Sequence, residues 1–255
     1  MIDGTDRGFT LGDGLFETVL AEAGELRHLA QHLSRLTAGC ATLGLPAPDR
    51  DEAEALMRRA LAEAALTATR AAVRLTLSAG PGGRGLDRPA APQPVLVATA
   101  APAPRPDGPA RLATSAIRRN ETSPASRLKT LSYLDSVLAR AEARAAGADE
   151  ALMLNGRGEL ACAAAANLFW IEDERLCTPS LDCGVLAGTV RARVLAAAAA
   201  VGLQALEVRA GPEALAGARA VFISNSLIGL RPVGAVDGRE LGMWDGLDAL
   251  ARQSF

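Results

Sequence analysis

Lys129, in the stretch SRLKTLSYLDS (126–136), is the only lysine among 27 Lys and Arg residues. As solvated surface charges the two types are interchangeable, but only a lysine can shed its proton and attack a carbonyl carbon. Either one lysine survived by accident in an arginine-rich chain, or position 129 needs an amine nucleophile. Other chemistries are short of parts. His28 and His32 are the only histidines and share one helical face without a third ligand beside them, so no metal site is expected. A Ser-His-Asp triad would have to recruit one of the same two. The four cysteines, Cys40, Cys162, Cys177 and Cys183, show no CxxC spacing and are expected to be reduced thiols.

A second chemical element is an anion cup. The run GVLAGTVRARV puts Gly188 directly before a predicted helix, so the amides of Thr189 and Val190 stand at a helix start. Unpaired N–H groups and the helix dipole attract phosphate or carboxylate there. Arg35, in HLSRL, offers a guanidinium to the same kind of anion, or remains a solvated charge on a helix surface.

These residues need elements to hold them. GLFETVLAEAGELRHL reads as a strand, a turn and a return, followed by a helix over about 28–44 whose apolar positions follow helical spacing. Gly44 and Pro46 end it. A helix over 51–66 and strands RAAVRLTLSAG and QPVLVATA come next, flanking the glycine-rich loop AGPGGRGLDRP. The proline-rich run 101–110 cannot hold regular structure, which predicts an N-terminal domain over 1–104, a linker over 105–110 and a C-terminal domain over 111–255. In the second half the pattern gives a strand RLATSAI, a helix over 131–146, and a strand DEALML. An Asn-Gly turn then opens a hairpin into NLFWIE, and a helix begins at Thr189. LEVRA, AVFISNS and LRPVGAVDG read as strands before a final helix near 244–254.

Composition sets outer bounds. With 49% apolar and 22% charged residues the chain reads as an ordinary globular protein, and aromatics at 3% leave small side chains to fill much of its core. A formal charge of −2 gives no field to draw nucleic acid or anionic membrane, so neither is an expected partner. No uncharged run spans a bilayer and the opening MIDGTDRG carries no export signal; a cytoplasmic location is expected.

Taken in order, DRGFTLGDGLFETV (6–19), HLSRL (32–36), GPGGRGL (80–86), RLKTLSYLDSVLARAEA (127–143), ANLFW (166–170) and GVLAGTVR (184–191) resemble the fold-type-IV pyridoxal-phosphate enzymes, the class IV aminotransferases. The blocks LGDGLFETV, GGRG and KTL look most like the 4-amino-4-deoxychorismate lyases of that family. The resemblance implies a two-domain α/β (α+β) fold, with a small N-terminal domain and a larger C-terminal mixed-sheet pseudo-barrel. It implies a homodimer and a small amino substrate bearing a carboxylate.

It also assigns roles. Lys129 matches the lysine that binds pyridoxal phosphate as a Schiff base. Arg35 and the amides of Thr189 and Val190 match the phosphate site, with Ser226 placing a hydroxyl toward it. Tyr133 matches a donor to the cofactor's phenolic oxygen, or else packs inward. Arg84 matches the arginine that holds a substrate carboxylate, or else serves a turn. Phe16 and Leu86 stand on the substrate side where relatives place tyrosines. Cys162 stands where relatives have a glutamate facing the pyridine nitrogen, and nearby Glu159 falls on the opposite strand face unless a bulge intervenes. The implied reaction converts 4-amino-4-deoxychorismate to 4-aminobenzoate and pyruvate. The alternatives are an aminotransferase acting on D-amino acids, branched-chain amino acids or amines, and a catalytically idle cofactor-binding homologue.

Overall fold

The computed structural model describes residues 3–255. Its contacts divide the chain into two units: the chain up to Arg105 together with Leu128–Ser132, and Pro106–Arg127 together with Tyr133–Phe255. The first unit opens with one helical turn, α1 (Arg7–Leu11), which the sequence pattern did not announce. Asp6 caps it by accepting from the Phe9 amide, and Gly12 ends it in the left-handed region. The strands β1 (Gly14–Glu22) and β2 (Glu25–Leu26) follow, then helices α2 (Leu29–Leu43) and α3 (Arg50–Glu63), then strands β3 (Ala71–Ser78) and β4 (Val95–Pro102). The sheet runs β2-β1-β3-β4, antiparallel throughout.

Period-two alternation decides which face α2 and α3 cover. Leu15, Val19 and Ala21 of β1 and Val73, Leu75 and Leu77 of β3 form one core with Leu33, Leu36, Cys40, Met57 and Leu61 of the helices. All of these side chains are buried, so truncating one such as Leu75 to alanine is expected to cost about 2–5 kcal/mol. Asp49 starts α3 by accepting from the Asp51 and Glu52 amides.

One placement departs from the predicted domain limits. Residues 128–132 were expected to lie in the C-terminal domain, but their backbone joins β1. Phe16 N donates to Lys129 O at 2.9 Å and Leu131 N to Gly14 O at 3.0 Å, with Leu15 and Thr130 bridged. Residues 131 and 132, where the sequence suggested helix, belong to this bridged segment instead. That is why the helix expected from 131 begins three residues later as α4 (Leu134–Ala145).

The second unit comprises β5 (Ala110–Thr114), α4, β6 (Glu150–Leu154), β7 (Leu160–Ala163), β8 (Asn167–Glu172), β9 (Arg175–Pro179), α5 (Thr189–Ala197), β10 (Gln204–Val208), α6 (Glu213–Ala216), β11 (Ala220–Asn225), β12 (Gly229–Val236), β13 (Arg239–Glu240) and α7 (Leu247–Ser254). β9 lies in a stretch to which the sequence pattern assigned no strand. The mixed sheet runs β10-β9-β8-β11-β12-β5-β6-β7, with β13 on β12. Leu160 N, at the start of β7, donates to Ala210 O just past β10, so the sheet curls until its two edges meet. A continuous apolar run such as NLFWI is buried on both faces. Leu168 and Trp170 face one core with Val221 and Ile223, whereas Phe169 and Ile171 face another with Phe222, Val190, Val194 and Leu250. The second core is the one that α5 and α7 cover. Among the described residues no helix is long and apolar enough to cross a membrane.

Candidate functional site

In the first unit the functional side chains gather around the strand that Lys129 joins. Antiparallel pairing sets Lys129 opposite Phe16, and its Nζ lies over the Phe16 ring, 4.1 Å from the centroid. The Arg74 guanidinium lies over the same ring at 3.6 Å. On the other face of β1, Glu17 sits at a position that alternation would give to an apolar residue, 1% exposed. It accepts from Arg35 Nε at 2.8 Å and Nη2 at 2.6 Å, and lies 2.7 Å from His32 Nδ1. Burial works to raise the Glu17 carboxyl, but the bonds from Arg35 and His32 outweigh it and hold the group below its usual range.

Lys129 responds to these surroundings. Loss of solvent is the largest effect and disfavours its ammonium form, Arg35 and Arg74 repel it, and Glu17 partly offsets them; its pKa falls from 10.5 to about 8. The share of neutral amine near neutral pH is therefore far larger than an ordinary lysine would have, and the neutral form is the nucleophile. The lysine, Arg35 and Phe16 are brought together. Arg84 and Leu86 are exposed on the 80–88 loop of the same unit, Leu86 with 82% of its surface in solvent.

The second unit supplies the anion cup. No side chain caps α5, so the amides of Thr189 and Val190 are not taken by a capping oxygen. Asn167 braces the approach by donating to Leu186 O at 2.9 Å, and a Cβ at Gly188 would overlap the Asn167 side-chain oxygen, which leaves only glycine there. Ser224 pairs with Asn167 across β11 and β8, and both point to the face that α5 covers. The Ser224 hydroxyl is fully buried and has no hydrogen-bond partner. An orphaned hydroxyl costs free energy unless something fills its valence, and a phosphate beside an uncapped helix start is such a group. Ser226 follows in a turn held by Asn225, whose Oδ1 accepts from the Leu227 and Ile228 amides at 2.9 Å.

Cys162 is half-buried on β7, opposite Met153. Burial pushes its thiol up and Glu150 adds to this, with Arg119 opposing, so the group stays protonated. Glu159 does not replace the missing carboxylate. It accepts from Asn155 Nδ2 at 2.7 Å and from Arg209 Nε at 3.1 Å, and sits 3.8 Å from Cys183 Sγ. Tyr133 occupies the position before α4 with its carbonyl accepting from Val137 N at 3.0 Å. His32 is spent on Glu17, while His28 takes a left-handed conformation at the start of α2.

Sequence reasoning passed over Glu17, Arg7, Asp13, Asn167 and Ser224. A signal existed for the first: an acid at the inward position between Leu15 and Val19, answered by His32 and Arg35 on one helix face. For Ser224 there was none, since only the fold shows that its hydroxyl has no partner. Taken unit by unit, the residues fit parts of pyridoxal phosphate: in the first an amine of lowered proton affinity suits its aldehyde, and in the second uncapped amides with an orphaned hydroxyl suit its phosphate.

The model of the family described as amino-transferase class IV matches residues 14–236. The aminodeoxychorismate lyase of Vibrio harveyi is 29% identical over 244 residues, covering 92% of this chain and 87% of that protein. The D-alanine aminotransferase of Listeria monocytogenes serotype 4b is 28% identical, covering 93% and 83%. The crystal structure of 4-amino-4-deoxychorismate lyase from Pseudomonas aeruginosa superposes with a TM-score of 0.87 at 34% identity, covering 99% of this chain and 94% of that one.

Proposed function

The chain belongs to the class IV aminotransferase family, a pyridoxal-phosphate-dependent family, and from that premise we propose that it is a lyase converting 4-amino-4-deoxychorismate to 4-aminobenzoate and pyruvate. That it is an enzyme, lyase or aminotransferase, follows from the family and its relatives. The observation that carries the reading is Lys129, the single lysine, held over Phe16 with its proton affinity lowered to about 8.

When bound, the cofactor supplies an aldehyde that condenses with amines and a conjugated ring that accepts electrons from a breaking bond. Lys129 contributes the neutral amine that holds it. Its Nζ, when free, would be the group that takes the proton from the carbon bearing the substrate nitrogen. The thiol at Cys162 brings no negative charge to the ring nitrogen, so withdrawal of electrons is weaker than a carboxylate would allow. Elimination suits that setting. As the proton leaves, the pyruvate moiety departs from the neighbouring ring carbon and aromaticity of the product drives the step. Arg84 is the group for a substrate carboxylate, which its fork of N–H donors matches.

The blocks LGDGLFETV, GGRG and KTL and the similarity to the Vibrio and Pseudomonas lyases support this reaction. The D-alanine aminotransferase relative supports the second reading, an aminotransferase. Purified protein loaded with pyridoxal phosphate and given 4-amino-4-deoxychorismate, without any keto acid, is expected to release 4-aminobenzoate and pyruvate in equal amounts. Conversion of amino acids only when a keto-acid acceptor is present would reject the lyase. A yellow protein whose spectrum no amino compound changes would mark it as catalytically idle.

A further inference from the structure

Arg84 lies on a loop with no regular structure and no apolar anchor: the neighbouring Leu86 is 82% exposed. The loop is nonetheless fixed, and one side chain does most of it. Arg7 is buried, 4% exposed, and reaches across to three successive carbonyls. Its Nη2 donates to Leu86 O at 2.8 Å, and its Nη1 to Asp87 O at 3.0 Å and Gly85 O at 3.4 Å. Nε donates to Asp13 at 2.9 Å, and Asp13 accepts from Arg88 Nε at 2.9 Å on the far side of the loop. The near side is pinned too, by Arg7 N to Gly80 O at 2.9 Å and Gly82 N to Thr5 O at 3.1 Å. A Cβ at Gly82 would lie 2.6 Å from Arg7 Cγ and Cδ, so the backbone passes as close to this side chain as a glycine permits. Arg84 sits between the two pinned ends, exposed, with no hydrogen bond or ion pair of its own among the described residues.

We propose that Arg7 is the positioning residue for Arg84: it orders the loop before substrate arrives, so that an outward-facing guanidinium waits for a carboxylate. This rests on the reading of Arg84 as the carboxylate-binding group. The physical reason is that a loop ordered in advance loses less conformational freedom on binding. Only arginine fits, because a lysine cannot present the planar fork that spans three carbonyls and an aspartate.

The test uses the cofactor-loaded enzyme with Arg7→Lys, Arg84→Ala and the double variant, together with Arg88→Ala, which loosens the far end while leaving Arg7 its bonds to the three loop carbonyls. Arg7→Lys is expected to raise KM for the carboxylate substrate about tenfold with kcat changed far less. In the Arg84→Ala background the same substitution should leave KM unmoved, since its effect runs through the missing guanidinium. Limited trypsin digestion read by mass spectrometry should show cleavage after Arg84 accelerating about tenfold in Arg7→Lys, and by a smaller factor in Arg88→Ala. Unchanged cleavage in both variants, or a KM effect of Arg7→Lys that persists without Arg84, overturns the proposal. If no carboxylate substrate turns over, the lyase reading fails by itself and the trypsin comparison still decides whether Arg7 orders the loop.

Discussion

Glu17 holds Arg35 through two hydrogen bonds, from Nε at 2.8 Å and Nη2 at 2.6 Å, at a carboxylate that is 1% exposed. The pair does more than join β1 to α2. It aims a guanidinium proposed to bind phosphate, and it puts the one negative charge that favours the ammonium form within reach of Lys129, against the opposing charges of Arg35 and Arg74.

A pH dependence follows. With the Lys129 pKa lowered to about 8, the rate at which the cofactor-free protein condenses with pyridoxal phosphate should rise through about pH 8 and level off above it. An ordinary lysine would keep gaining until beyond pH 10. Glu17→Gln removes the charge that favours the ammonium form, so the midpoint should move to lower pH. Stopped-flow absorbance across a pH series measures both. A midpoint near 10 in the wild type, or a rise in Glu17→Gln, contradicts this account.

The folded protein should also gain stability as pH rises from about 8 to 10.5, because over that range the unfolded chain binds a proton at position 129 that the folded chain does not. Denaturant titrations at the two ends of the window, compared with Lys129→Met, check the sign: the gain should be absent in the variant.

Ser224→Ala tests the phosphate site with two readouts of opposite sign. Removing a buried hydroxyl that has no partner should leave the cofactor-free protein as stable or about 1 kcal/mol more so. Affinity for pyridoxal phosphate should fall, by about tenfold for one lost hydrogen bond to a charged group. Loss of stability without cofactor, with unchanged affinity, would mean that the hydroxyl serves the fold and not the ligand.

At Cys162 the expectation is a gain. Cys162→Glu places a carboxylate where the half-buried thiol now stays protonated, which should strengthen the electron sink and speed loss of the substrate proton. Cys162→Ser should resemble the wild type. Single-turnover rates separate the two, and a glutamate variant that binds cofactor normally but reacts no faster would remove position 162 from the ring nitrogen's surroundings.

Much of the scaffold is legible because period-two and period-3.6 patterns follow from which face is buried: β1, α2, α3, β3, β8 and β11 all lie where the patterns put them. What escaped depends on contacts distant in sequence. Residues 131 and 132 read as the start of a helix, yet β1 offers open backbone groups and the segment 128–132 is bridged to it at Thr130. β9 is short, and only its neighbours β8 and β10 make RLCTP a strand. At the site, Lys129 stood out by its scarcity and Gly188 by its place before a helix. The partners that tune them, Glu17 and Asn167, sit in motifs whose letters do not say which neighbour they face. Arg7 lies in the run DRGFTLGDGLFETV, but its grip on three loop carbonyls appears only when the loop is folded against α1.

The central claim is a carbon–nitrogen bond at Lys129, and borohydride tests it most directly. Protein saturated with pyridoxal phosphate, reduced with borohydride and digested should yield a single phosphopyridoxyl peptide modified at position 129. The Lys129→Ala protein should lose its yellow colour on dialysis and give no adduct. An adduct elsewhere, such as the chain's terminal amine, or a variant that stays yellow after dialysis, would contradict the account.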